Sequence, residues 1–380
     1  MGARRRALVI LASLMVATVS TALLLVAGTG TVGSQAARRG IRVAGTTATN
    51  LALFKGEVLV WAADRLSTTE VGRVRDSSRV AAISAVRTGL LPAASGKRGY
   101  PVILVEAMAV DPDAYAAAVG PAGVQLVDML SRGVVLSRTG ASLRKIRKSG
   151  HLRLTGSRSY TVSGVVDDRL LGGYEVAMDL ERGRRLGIDE VGYLLLRPRG
   201  AQATLETAVR GLLHGNTLGF RRPGQGPWFR AGDGTLPLAQ VKARFGEFAV
   251  TSLARPVAEP GWVQSNIATQ TIPVLGQVRC HRAIVNDLGL AMADVQREGL
   301  EALIDVDAFG RVGGCVRPRP GAGPGGLDHQ AWGIALDLTG RGEPPVDQRL
   351  VAAMARHGFT WGGRWLQPQA ARFEWVGAGA

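Results

Sequence analysis

The hydrophobic positions of the chain change period along its length. An uncharged, largely apolar run extends from Ala7 to Ala27 behind Arg4, Arg5 and Arg6. At about 1.5 Å per residue, a helix of that length crosses the ~30 Å hydrocarbon core of a bilayer. The arginines would hold its start in the cytoplasm and export the chain beyond residue 30. Residues 1–30 are therefore expected to be an anchor, leaving a single-pass protein with its domains on the extracytoplasmic side; a cleaved signal peptide is the alternative, with a shorter apolar core as its usual mark. Residues 31–50 are small, polar and glycine-rich, and read as a linker.

From residue 51 to about 255, strand-like and helix-like patterns alternate. Val102–Val105, Leu152–Thr155, Thr161–Val166 and Gly192–Leu196 predict strands, with turn residues beside them. Leu205, Val209 and Leu212 repeat at helical spacing and predict a helix over Ala203–His214. Residues 256–271 look like a connector to a last domain, 272–380. There Ile284, Leu288, Ala291 and Val295 predict an amphipathic helix over residues 282–298. The fold class expected is α+β: a transmembrane helix, an α+β middle domain and an α+β C-terminal domain.

Composition sharpens this picture in three ways. Hydrophobic residues make up 46% of the 380, enough to build cores. The net charge is +16, yet the segment after residue 270 carries as many acids as bases, so the excess lies earlier, including Arg144, Lys145, Arg147, Lys148 and Arg153. Without a nucleic-acid motif and with aromatics at 5%, that charge reads as a solvated face or a contact for an envelope polyanion, with no nucleic acid as partner. Only two cysteines occur, Cys280 and Cys315, and in an oxidising compartment such a pair predicts one disulfide.

Two stretches resemble known families. VVLSRTGASLRKIRKSGHLRLTGSRSYTVSGVVDDRLLGGYE, within residues 120–213, resembles the periplasmic core domain of MacB- and FtsX-type exporter subunits in its hydrophobic spacing and glycines. That resemblance implies an extracytoplasmic module contacting other envelope proteins.

The second resemblance covers about residues 272–375. GGCVRPR (313–319), DHQAWGIALDL (328–338) and HGFTWGGRWLQPQAARFEW (357–375) resemble, in this order, the core phrases of VanY-type zinc D-alanyl-D-alanine carboxypeptidases. Trp332, Gly333, Ala335, Asp337, Gly358, Phe359, Trp361, Gly362, Gly363, Trp365, Phe373 and Glu374 carry the match. The family's three metal-ligand positions fall here on Gln330, Asp337 and Arg372, and its general-base position on Gln369. A catalytic zinc takes three protein ligands and keeps a fourth site for water. A guanidinium is always charged and has no lone pair to give, and a carboxamide accepts no proton from water. Asp337 alone of the ligand set remains, and Arg372 is expected to pair with it. His329, beside the first ligand position, would be the other candidate ligand in a rearranged zinc site with Asp337; its ordinary reading is an exposed turn residue. His281 and His357 read as surface or helix-end residues. Arg319 matches an arginine that the resemblance places near substrate, where it would grip a peptide carboxylate. Trp332, Trp361 and Trp365 read as core residues, and Glu374 as a structural carboxylate.

The expectation is thus a pseudo-peptidase that needs no cofactor and has Arg319, Gln330, Asp337 and Arg372 at its binding cleft, with a peptidoglycan stem peptide or an envelope protein as partner. An active zinc peptidase of the cell wall and a structural or exporter-associated envelope component are the alternatives.

Overall fold

The computed structural model describes residues 54–155, 158–226, 228–233, 236–252, 256–307, 314–317, 328–338 and 346–377. The expected anchor and linker, and Arg319, lie outside them. Among the described residues no helix is long and apolar enough to cross a membrane. All of them belong to one compact unit, Val43–Ala380.

The architecture is α+β. Nine strands, β1 (Val58–Ala62), β2 (Val80–Lys97), β3 (Tyr100–Val110), β4 (Val134–Ser137), β5 (His151–Arg153), β6 (Ser159–Val166), β7 (Val176–Asp179), β8 (Val191–Pro198) and β9 (Leu218–Arg221), make one sheet in the order β5-β6-β4-β7-β3-β2-β8-β1-β9. The β3–β7 and β4–β6 pairs are parallel and the others antiparallel, so the sheet is mixed. The four strands expected from periodicity fall on β3, β5, β6 and β8. β2 was not expected from the pattern. Its sequence, VAAISAVRTGLLPAASGK, is rich in alanine, glycine and serine, and it becomes a strand because β3 and β8 pair with it on either side. Pro92 lies past Arg87, where pairing with β8 ends, so its missing N–H removes no bond to β8.

Strand β3 organises the packing, because its alternate residues face opposite sides of the sheet. Val105, Ala107 and Ala109 join Leu136, Val162, Val176 and Met178 in one core. On the other face, Met108 and Val110 pack beneath Tyr115, Ala118 and Leu126 of the helices Pro112–Val119 and Pro121–Arg132. Val102 and Leu104, on that second face, belong instead to the C-terminal core, with Phe245, Trp262, Leu288, Trp332, Leu336 and Phe373. Glu106 lies between these two cores on one strand.

The stretch 256–271, expected as a connector, is folded. It forms the helix Pro260–Asn266 and the strand β10 (Ile267–Ile272), which pairs with β11 (Gly276–His281). Trp262 explains this: it is buried against Phe248, and its indole N–H donates to the Phe245 carbonyl at 3.1 Å. The helix expected over 282–298 is Val285–Arg297, with Leu288, Ala291 and Val295 inward. A small sheet, β12 (Ala335–Asp337), β13 (Phe359–Trp361) and β14 (Arg372–Trp375), completes the fold, with β14 in the centre.

Candidate functional site

The site is built on β12 and β14, which bring face to face two of the three positions that the carboxypeptidase resemblance gives as metal ligands. Asp337 and Arg372 are direct cross-strand partners, as are Ala335 and Glu374. With side chains alternating along a strand, Asp337, Arg372 and Glu374 project from one face. The turn before β12 supplies the rest. Asp328 caps the short 3-10 helix His329–Trp332, accepting the Gln330 N–H at 3.1 Å. Gly333 ends that helix in the left-handed region (φ 68°), where a Cβ would lie 2.9 Å from the His281 nitrogen. The Gly333 carbonyl accepts that same N–H at 2.9 Å, fixing the turn against β11.

A guanidinium occupies the centre. Arg372 Nε donates to Asp337 Oδ1 at 2.6 Å, and one terminal nitrogen donates to Asp328 Oδ1 at 2.7 Å and lies 3.7 Å from Glu374 Oε1. Its side chain is 4% exposed. Burial alone would lower its affinity for the proton, but the charge of Asp328 and the bond and charge of Asp337 outweigh it and hold the pKa above the ordinary value. The ion pair with Asp337 that the residue types allow is formed.

His329 is not the exposed turn residue of the ordinary reading. Its side chain is 12% exposed, and Nδ1 donates to Glu374 Oε2 at 2.8 Å. Burial pushes its pKa down, yet the charge and hydrogen bond of Glu374, with Asp328 and Glu106 beyond, raise it overall. The reason is the short helix: Asp328 starts it and Gly333 closes it, which turns His329 inward onto β14. Gln330 is fully buried; its Nε2 makes a long 3.4 Å bond to Asp337 Oδ2, while Oε1 has no partner among the described residues. Gln369, at the base position, contributes backbone: its N–H donates to the Gly362 carbonyl and its carbonyl accepts the Arg372 N–H, each at 3.0 Å. A Cβ on Gly362 would lie 2.9 Å from that carbonyl, so the close turn requires glycine here.

The structure thus brings together Gln330, Asp337 and Arg372, and joins His329 to Glu374. Asp328 was missed. Its signal was present, an acidic residue two positions before the first ligand position and at the start of a glycine-closed turn, where a helix cap belongs. His281 corrects a second reading. It is buried, its Nδ1 accepts the Ala283 N–H at 3.1 Å, and burial lowers its pKa to about 4. His357 does sit at a helix end, capping Gln348–Arg356, with Nε2 3.0 Å from Asp294.

These residues do not fit a zinc ion. Arg372 places a positive charge against the carboxylate that would hold it, and the neighbouring carbonyl oxygen of Gln330 is a poor zinc ligand. Among the described residues no three His, Cys, Asp or Glu side chains are grouped to hold a metal. The chemistry that remains is charge-assisted hydrogen bonding.

The cysteines form the Cys280–Cys315 disulfide, with Cα atoms 4.8 Å apart. It ties residues 314–317 to β11, and the Arg317 N–H donates to the Gln330 carbonyl at 2.8 Å. Trp332 is core: it is buried, its ring lies tilted against Phe248 with centroids 4.8 Å apart, and it donates to the Gly246 carbonyl at 2.9 Å. Nearby, a cleft of about 790 Å³ opens between Trp61, Glu106, Tyr174 and Arg230 on one side and Leu366 and Gln367 on the other. Glu106 grips Arg230 with both oxygens, at 3.0 and 2.8 Å, and the guanidinium lies 4.2 Å over the Tyr174 ring.

No protein-family model and no curated protein sequence matches the chain. Among solved structures it is similar to the periplasmic region of MacB from Actinobacillus actinomycetemcomitans, at 9% identity and a TM-score of 0.34, over 47% of this chain and 94% of that one. The carboxypeptidase resemblance rests on the residues of its three phrases.

Proposed function

We propose that this chain is a pseudo-peptidase of the cell envelope, a protein that keeps a carboxypeptidase-like scaffold to bind a peptidoglycan stem peptide or an envelope protein and does not hydrolyse it. One observation carries the reading: the Arg372 guanidinium is lodged between Asp337 and Asp328, at 2.6 and 2.7 Å, where the resemblance puts a metal ligand. A guanidinium does not deprotonate in this setting, so the site has no route to a metal-bound hydroxide. Gln369 offers no base to replace one. The proposed placement is single-pass, with the folded unit outside the membrane.

The test measures zinc and hydrolysis on the same purified protein. The expected result is no stoichiometric zinc, no release of D-alanine from a D-Ala-D-Ala peptide, and binding to purified cell wall that a chelator leaves unchanged. About one zinc per chain, lost in His329→Ala, together with D-alanine release would overturn the proposal.

A second reading, a structural envelope component, is favoured by the shared core. Val102 and Leu104 of the large sheet pack in one cluster with Leu336, Met354 and Phe373, so the C-terminal section braces the sheet. Under this reading, partners are captured through residues 51–255, and Asp337→Ala leaves that capture intact.

A further inference from the structure

We infer that the turn from Arg144 to Arg153, at the β5 edge of the large sheet, is a binding site for a linear phosphate-bearing polyanion. The helix Arg138–Arg144 ends at Lys145 in the left-handed region (φ 53°), and Ser149 lies there as well (φ 68°). Two non-glycine residues in that region within five positions make a sharp knuckle, and tertiary bonds hold it. Ser149 N–H donates to the Val162 carbonyl at 2.7 Å, and Val162 N–H to the Gly150 carbonyl at 2.8 Å.

The knuckle concentrates uncompensated positive charge. Lys145, Arg147, Lys148, His151 and Arg153 are all exposed. Among the described residues none of the five has a carboxylate within 4 Å, whereas Arg132, Arg182, Arg185, Arg222 and Arg349 are each paired with an acid. Beside it lies a groove of about 370 Å³ whose lining includes Ser95, Arg144, His151, Arg153 and Glu247. Arg144 is the second observation. Its side chain is 8% exposed, and its terminal nitrogens are taken by the Gly140 carbonyl, Glu175 and Glu247. Its Nε donor has no acceptor among the described residues. A groove rimmed by exposed cations, with the Arg144 side chain in its wall, matches an anion with several oxygens.

The features absent from the knuckle narrow the class of anion. Its apolar residues, Ile146 and Leu152, are turned inward, and the exposed large hydrophobics Val124, Val165, Val257, Leu290 and Val306 all lie elsewhere in the sequence. Insertion into a membrane interface uses exposed apolar side chains together with cations. No Phe, Tyr or Trp occurs between Arg138 and Arg153 to form a stacking platform for bases. What remains is attraction to a repeating phosphate charge, one group in the groove and its neighbours along the turn.

The experiment uses the full-length protein and inorganic polyphosphate, with the dissociation constant measured at several salt concentrations. The variant Lys145→Gln/Arg147→Gln/Lys148→Gln/Arg153→Gln changes exposed side chains only. The control Arg75→Gln/Arg210→Gln/Arg279→Gln/Arg282→Gln removes the same charge from exposed sites elsewhere. The expected result is at least roughly tenfold weaker binding for the knuckle variant, with a salt slope shallower by about three to four. The control should stay within about twofold. Equal losses in both variants would reduce the effect to net charge and overturn the site, as would no loss in either. Phosphatidylglycerol vesicles and single-stranded DNA are run in parallel. Knuckle-dependent binding to either of these, without polyphosphate binding, would also overturn it.

Discussion

Two clusters of buried charge hold this protein, and they are built differently. The first joins the large sheet to two helices. Glu175 meets Lys242 at 2.8 Å and Arg144 at 2.6 Å, and Glu247 meets the same two cations at 3.1 and 2.8 Å. Two acids face two bases, and Lys242 also donates to the Leu104 carbonyl. Burial pushes the Glu175 carboxyl up, but Lys242 and Arg144 together hold it below the usual carboxylate range. The second cluster gathers Asp328, Asp337 and Glu374 around the Arg372 guanidinium, with His329 against Glu374. The first joins acids to Lys and Arg; the second includes a titrating imidazole.

The sharpest way to break the comparison is to remove each central cation. Arg372→Met leaves three carboxylates without their guanidinium, and Lys242→Met strands Glu175; each should lose about 3–5 kcal/mol in denaturant unfolding. If Arg372→Met unfolds at the wild-type midpoint, the second cluster is not a buried ion-pair centre. Opening the disulfide by Cys315→Ser should come next, at about 3–4 kcal/mol for a loop of this length. The lost stability should appear also as increased hydrogen exchange at the Gln330 turn.

Paired replacement separates the clusters further. Lys242→Met combined with Glu175→Met removes one ion pair and leaves Arg144 with Glu247, so it should fall within about 2 kcal/mol of wild type. A loss as large as the single Lys242→Met variant would mean that the pair contributes far more than the desolvation it offsets.

The smallest effect is in the pH profile. His329 has a raised pKa in the folded protein, so its ion pair with Glu374 is fully present below the unfolded value, near 6.5. It is lost as pH rises through the folded value. Stability should therefore decline as pH rises above about 6.5, and His329→Gln should remove that decline. His281 works in the opposite sense: held neutral down to about pH 4, it weakens the fold as pH falls from near 6.5 toward 4. A profile in His329→Gln identical to wild type would show that the imidazole does not complete the second cluster.

The two clusters were also unequally visible in the sequence. Asp337 and Arg372 stand at recognisable positions in ordered phrases, so their pairing was expected before any fold was known. Asp328 and the Glu374–His329 contact were not, because a cap and an inward turn depend on how β12 meets β14. The first cluster was not expected from the sequence: Glu175 and Lys242 are 67 residues apart. Periodicity located strands such as Val191–Pro198 and the helix Val285–Arg297, whose apolar residues repeat at strand or helix spacing. It passed over β2 and the helix Pro260–Asn266, whose sequences favour neither state by themselves.

By itself, the sequence determined the α+β class, the amphipathic elements and the oxidisable cysteine pair. These are properties of residue type and spacing, and no partner is needed to read them. The tertiary structure alone decided that the guanidinium sits inside a three-carboxylate cage, that His329 faces inward, and that the C-terminal section shares its core with the large sheet. Each of those outcomes depends on which distant groups share a desolvated space, and burial sets the strength of a charge only after the chain has folded.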